Sequence, residues 1–154
     1  MTKVLGPFVG KRKTAVARLV VRPGTGRIFI NNQPLEYFGN ELVRAKILTP
    51  LYFNEKFWKS HDFDVKVRGG GVVAIADAVS FAIARALASK SEGVKQRIKE
   101  YNRVLLAGDP RQAEPKKPNR YSARRFKQKS YRLNLDKTYL LDGDHGLGLE
   151  VGGW

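Results

Sequence analysis

The chain has 154 residues, with 29 Lys or Arg against 14 Asp or Glu and a net charge of +15 at neutral pH. That length suits one domain with a real core plus arms, and the charge points to a polyanionic partner. Cysteine is absent, which excludes disulfides, thiolate metal sites and cysteine nucleophiles.

Residues 1–13 read as a Gly- and Lys-rich arm ending in Gly10-Lys11-Arg12-Lys13. From Thr14 to Arg22, Val16, Leu19 and Val21 predict a strand. Pro23-Gly24-Thr25-Gly26 signals a turn, and Arg27-Ile28-Phe29-Ile30 reads as the return strand of a hairpin. Asn31-Asn32-Gln33-Pro34 marks a second turn. Asn40 caps a predicted helix over 41–48, which Pro50 stops. The aromatic-rich stretch 51–58 fits a short helix or a packed loop equally well. Asp62 to Arg68 alternates with period two, a strand with Phe63, Val65 and Val67 on one face. Asp62 and Asp64, between Lys59 and Lys66, balance local charge.

Gly69-Gly70-Gly71 stands between that strand and a helix, the setting of an anion site. The Walker pattern fails for want of a following Lys-Ser or Lys-Thr, and the dinucleotide fingerprint meets Ala74 at its third glycine. A tight turn with positive φ explains the glycines as well. Val72 to Ser89 then predicts the best-buried helix, with Val72, Ile75, Ala76, Val79, Ile83, Ala86 and Leu87 along one stripe. A second helix over 92–104 turns Val94, Ile98 and Tyr101 inward, and Asp109-Pro110 disfavours its continuation. Strands and helices in mixed order indicate an α+β sandwich, one sheet with helices packed on it.

Between Lys116 and Arg132 the chain holds eight Lys or Arg and no acid, interleaved with Tyr121, Phe126 and Tyr131. Such a segment cannot fold alone and calls for a dense anionic partner. Nucleic acid fits: cations neutralise phosphates while rings stack on unpaired bases. A solvated tail or a localisation signal is the blander alternative. No stretch approaches 18 apolar residues and the basic segment has no interfacial apolar face, so a membrane partner is not expected. The first residues show no signal-peptide pattern. His61 and His145 lie far apart, no carboxylate cluster suits a metal, and no Ser/His/Asp set is available. Neither metal, cofactor nor catalysis is expected.

Four blocks together resemble the universal S-nine family of small-subunit ribosomal proteins. They are Gly10 to Arg18, Pro23 to Asn32, Val65 to Gly71 with Ile83 to Leu87, and Asp109 to Arg132 with its Lys-Ser-Tyr-Arg ending. That ending is similar to the archaeal and eukaryotic branch. The resemblance implies the fold of domain two of ribosomal protein S-five, with a left-handed β-α-β crossover. It also implies binding to ribosomal RNA in the subunit head, an arm running toward the peptidyl-site transfer RNA, and residence in the small ribosomal subunit of the cytoplasm or of an organelle. The expected divisions are an N-terminal arm over 1–9, a globular domain over 10–108, a basic arm over 109–132 and an extension over 133–154. Candidate RNA-binding residues are Lys11, Arg12, Lys13, Arg18, Arg68, Gly69, Gly70 and Gly71 in the globular part. In the arm they are Arg111, Lys116, Lys117, Arg120, Arg124, Arg125, Lys127, Lys129 and Arg132, with Tyr121, Phe126 and Tyr131 as stacking rings. An RNA chaperone outside the ribosome and an enzyme using Gly69–Gly71 are the alternatives.

Two features depart from the family pattern. Ala74-Ile75-Ala76 and Ser80 stand where the family has Gly-Gln-Ala and Arg. The chain also runs on through Leu133 to Trp154, with one Lys, four acids and nine large apolar residues, a composition that suggests a neighbouring protein of the subunit head as partner.

Overall fold

Alternating side chains sort the strands into two faces. The computed structural model describes residues 4–128. The chain divides after Ala113, with Met1–Ala113 as one compact unit and Glu114 opening another. Lys129, Tyr131, Arg132 and the extension from Leu133 lie outside the described residues.

In the first unit, β1 (Leu5–Arg12), β2 (Ala15–Pro23), β3 (Ile28–Ile30), β4 (Gln33–Pro34) and β5 (His61–Arg68) form one mixed sheet in the order β1-β2-β5-β3-β4. Ala15, Ala17, Leu19 and Val21 of β2, with Phe63, Val65 and Val67 of β5, face inward and are buried. Val16 belongs to the opposite, half-exposed face.

Composition predicts an arm over residues 1–13, whereas the structure holds strand β1 there, antiparallel to β2. Pro7 hides the strand from pattern reading, and it is tolerated because β1 is an edge. Gly10 is buried because the β1 backbone lies directly on a helix. A Cβ built at Gly10 would fall 1.9 Å from the Ala78 carbonyl oxygen.

The predicted hairpin between β2 and β3 is not formed. β5 lies between them, antiparallel to β2 and parallel to β3. The reason sits in the 23–27 loop. The Asp62 carboxylate of β5 accepts from the Thr25 and Arg27 N–H groups at 2.8 and 2.9 Å, and Gly24 N–H donates to the Ser60 carbonyl. The loop spans an inserted strand rather than closing on itself. These N–H donors, Arg27 foremost, hold the Asp62 carboxyl below its usual range. Asp62 is thus a loop cap rather than a general charge balance. The second turn is a true hairpin: Asn31 and Asn32 have φ of 50 and 66°, the double positive φ of a tight two-residue turn, and join β3 to β4.

Helix α1 (Glu41–Leu48) starts at Asn40, whose Oδ1 accepts from Val43 N–H at 3.2 Å. The ambiguous stretch after it resolves into a 3-10 turn (Thr49–Asn54) and a short helix α2 (Glu55–Lys59). Together they connect β3 to the parallel β5.

Helix α3 (Val72–Ala88) is the centre of the core. It packs on β1 and β2 and is covered by α1, α4 (Glu92–Asn102) and α5 (Val104–Ala107). Its burial therefore runs round the helix, from Ala76 through Leu87, and is wider than one stripe. Val72, predicted inward, is exposed in the first turn before the sheet covers the helix. Tyr101, also predicted inward, is mostly exposed and only tilts against Phe53 at 5.4 Å. Ile75 is half buried and Ser80 fully buried, so neither presents a polar contact to the surface.

Candidate nucleic-acid interface

The helices cover one face of the sheet. The other face carries Val9 and Lys11 of β1, Val16, Arg18, Val20 and Arg22 of β2, and Asp64, Lys66 and Arg68 of β5. Register gathers the cations at one end. Arg18 stands directly opposite Lys66, and Val16 lies between Lys11 and Arg68. Lys13 sits in the β1–β2 turn beside them with φ of 51°. Among the described residues, none of Lys11, Lys13, Arg18, Lys66 and Arg68 makes an ion pair. Like charges facing across two strands destabilise a sheet unless an anion lies over them. At the other end of the face, Asp64 pairs with Arg22 at 3.9 Å.

The glycine turn borders this face. Gly69 and Gly70 have φ of 71 and 78°, which glycine adopts without strain. A Cβ at Gly69 would lie 2.6 Å from the Thr14 carbonyl oxygen, and one at Gly70 2.6 Å from the Ala15 Cβ. These two glycines let the β5–α3 turn fold onto the β1–β2 turn, which brings Arg68 toward Lys13. Gly71 caps α3 and has open space beside it.

Arg12 is placed differently from its neighbours. Strand alternation turns it to the helix side, next to Gly10, and its side chain is 14% exposed. It bonds the Asp109 carboxylate at 3.1 Å and the Arg111 carbonyl at 3.0 Å, and lies 3.8 Å from Asp77. Asp77 in turn takes Lys46 at 3.0 Å. Arg12 therefore fastens the chain after α5 to the end of β1, where Arg12 and Asp109 also form a backbone bridge. Arg111 grips the same carboxylate with its side chain at 2.7 Å. Arg85 of α3 does similar work on the residues before it, donating to the carbonyls of Leu106, Ala107 and Val9. Lys11, Lys13 and Arg103 stay exposed and, with Arg85, line a cleft of about 750 Å³ against this clamp.

The Arg111 side chain, with Arg12 behind it, holds the Asp109 carboxyl well below the usual carboxylate range. A carboxyl depressed in the fold stabilises it above the usual Asp value of about 3.9, and that stability is lost as pH falls toward the folded value. Residues 109–112 should therefore stay fastened at neutral pH and loosen in strong acid. Asp109→Asn should mimic the acid state at pH 7, with faster amide exchange over 109–112 and unchanged protection in α3. Equal exchange in the variant would show that the carboxylate does not hold this segment.

In the second unit Lys116, Lys117 and Lys127 are exposed. Arg124 takes Glu114 in a two-bonded fork, 2.8 and 2.5 Å, which lowers the Glu114 pKa. The segment is not wholly without order. Arg120 and Phe126 form an antiparallel bridge, with the Arg120 guanidinium 4.1 Å from the Phe126 ring centre. Among the described residues no group of three His, Asp or Glu could hold a metal, and no helix is long and apolar enough to cross a membrane.

A family model described as ribosomal protein S9/S16 matches residues 10–132, taking in the sheet from Gly10 of β1 onward, the clamp and the arm. The chain belongs to the ribosomal protein S9/S16 family. A protein of Desulfurococcus amylolyticus named small ribosomal subunit protein uS9 is 54% identical over 125 residues, covering 80% of this chain and 89% of its own. Proteins of the same name from Sulfurisphaera tokodaii and Aeropyrum pernix are 49% and 44% identical, covering 79% and 80% of this chain and 91% and 93% of their own. The resemblance to the archaeal branch is thereby shown. Within this S9/S16 chain the structure adds Lys66, Arg85, Arg103 and Asp109 to the residues named from sequence. Lys66 was legible as an outward position of a period-two strand. Asp109 was not, because its partner Arg12 is 97 positions away.

Proposed function

We propose that this chain is a structural protein of the small ribosomal subunit that holds ribosomal RNA by two cationic surfaces. One is the open sheet face with Lys11, Lys13, Arg18, Lys66 and Arg68, bordered by Gly69–Gly71. The other is the arm from Lys116 onward. The observation that carries the reading is the Arg18–Lys66 pair: two cations face each other across β2 and β5 with no acid opposite, in a chain of a ribosomal family. RNA phosphates satisfy both at once, and A-form grooves favour recognition by shape and backbone. Arg12 and Arg111 serve the fold by fixing the segment from which the arm departs.

The rest of the reading rests on family membership and composition. The arm continues through Lys129 and Arg132 toward the peptidyl-site transfer RNA. The acidic, apolar extension from Leu133 leaves RNA for a protein neighbour in the subunit head. The place of work is the cytoplasmic ribosome. Co-migration with small subunits through a high-salt gradient is the expected result. A protein that stays at the top of the gradient would be a free RNA binder.

Lys66→Glu tests the sheet face. The substitution turns a like-charge pair into an opposite one, so the free protein should gain up to about 1 kcal/mol. RNA affinity should fall about tenfold at 0.1 M salt, with the log–log salt slope shallower by about 0.7–0.9 for each phosphate no longer neutralised. Thermal unfolding and filter binding read the two effects. If affinity and slope match the parent, RNA does not lie on this face.

A further inference from the structure

The second unit contains a closed loop that the composition of the arm does not suggest. Arg120 and Phe126 pair across its root, and Tyr121 N–H donates to the Arg125 carbonyl at 3.0 Å. Arg125 N–H donates to Ser122 Oγ at 3.2 Å, and the Arg120 side chain reaches the Ala123 carbonyl at 3.3 Å. Asn119, with φ of 58°, turns the chain into the loop. Two guanidinium–ring pairs cross it, Arg120 on Phe126 at 4.1 Å and Arg125 on Tyr121 at 5.8 Å. Both fall within the range of cation–π attraction. As whole residues Phe126 and Tyr121 stay 69% and 61% exposed.

We propose that loop 120–126 is a preformed site for an unpaired RNA base, taken on the open faces of the Phe126 and Tyr121 rings. The inference rests on the reading that the arm meets RNA, and it divides the arm's work. Arg120 and Arg125 point at rings, while Lys116, Lys117 and Lys127 stand clear for phosphates. A guanidinium behind each ring fixes its rotamer, so the ring loses little freedom when a base lands on it. Stacking is tolerant of base identity because every base has a π-face. A base inside a duplex offers no such face, which selects loops, bulges and single strands.

The test uses the full chain and two RNAs, a single strand carrying 2-aminopurine and the same strand paired in a duplex. The parent protein should quench the fluorescent base in the single strand and leave it bright in the duplex. Phe126→Leu and Tyr121→Leu should each weaken single-strand binding about tenfold with the salt slope unchanged. Phe126→Tyr should restore it, which a merely structural role for Phe126 does not require. Titrations with small-subunit RNA and with transfer RNA should show the same loss for at least one of them, and that one supplies the base. Leu variants that bind within twofold of the parent, a loss explained by a lower slope, or equal quenching in the duplex would overturn the inference. A parent that binds no RNA removes the underlying reading too. A parent that binds with its full slope, matched by both Leu variants, removes this inference alone.

Discussion

A chain ended after Glu114 should keep its fold and lose most of its affinity for ribosomal RNA. The first compact unit closes at Ala113, and the last buried apolar residue of the core is Leu105. None of the described residues removed belongs to that core. The truncation takes away the eight cations between Lys116 and Arg132. Arg120 and Arg125 face rings and Arg124 is forked to Glu114, which leaves five cations for phosphates. Each neutralised phosphate contributes about 0.7–0.9 to the log–log salt slope, so the slope should flatten by about 3.5 or more. A chain ended after Arg132 is the control. It lacks only the net-acidic extension and should keep the full slope. Circular dichroism and filter binding over a salt series read both. An unchanged slope in the shorter chain would show that the arm is not the main electrostatic contact.

The largest loss of stability is expected from Gly10→Ala. Its new methyl would stand 1.9 Å from the Ala78 carbonyl oxygen and 2.8 Å from the Ala82 nitrogen. Both are backbone atoms of α3, which no rotamer change can move. The strand or the helix must shift by more than 1 Å, and α3 is held between the sheet and three other helices. Overpacking of this kind costs typically 1–3 kcal/mol, and a backbone clash puts it at about 3 or beyond. In a domain of this size that lowers the melting temperature by about 15 °C. A melting temperature within about 2 °C of the parent would show that β1 does not lie on α3 as described.

Local chemistry was legible in the sequence, and partnership was not. The Asn40 cap, the Asn31-Asn32 turn, the alternation of β5 and the burial of α3 each depend on residues within a few positions of one another. The unpaired hairpin of β2 and β3 shows the limit. A turn signal says that the chain reverses, yet the strand filling the gap begins at His61, beyond two helices. Strand β1 was hidden for a related reason. Gly10 and Pro7 are poor strand residues in isolation, and only contact with α3 and an edge position make them suitable. The candidate site divides the same way. Clustered cations declare an anionic partner, but strand alternation decides that Lys11 faces outward and Arg12 inward. The pairing of Arg18 with Lys66, 48 positions along the chain, needed the register of two strands far apart in sequence.

That facing pair makes ionic strength act on the protein with opposite signs in its two states. In the free chain salt screens the repulsion across β2 and β5 and steadies the sheet. In the proposed complex the same salt competes with the phosphates and drives the partners apart. Purification from high-salt buffer is therefore gentle on the isolated fold. Dialysis to low salt without RNA leaves five bare positive charges around one strand pair, and that is the step at which material should be lost.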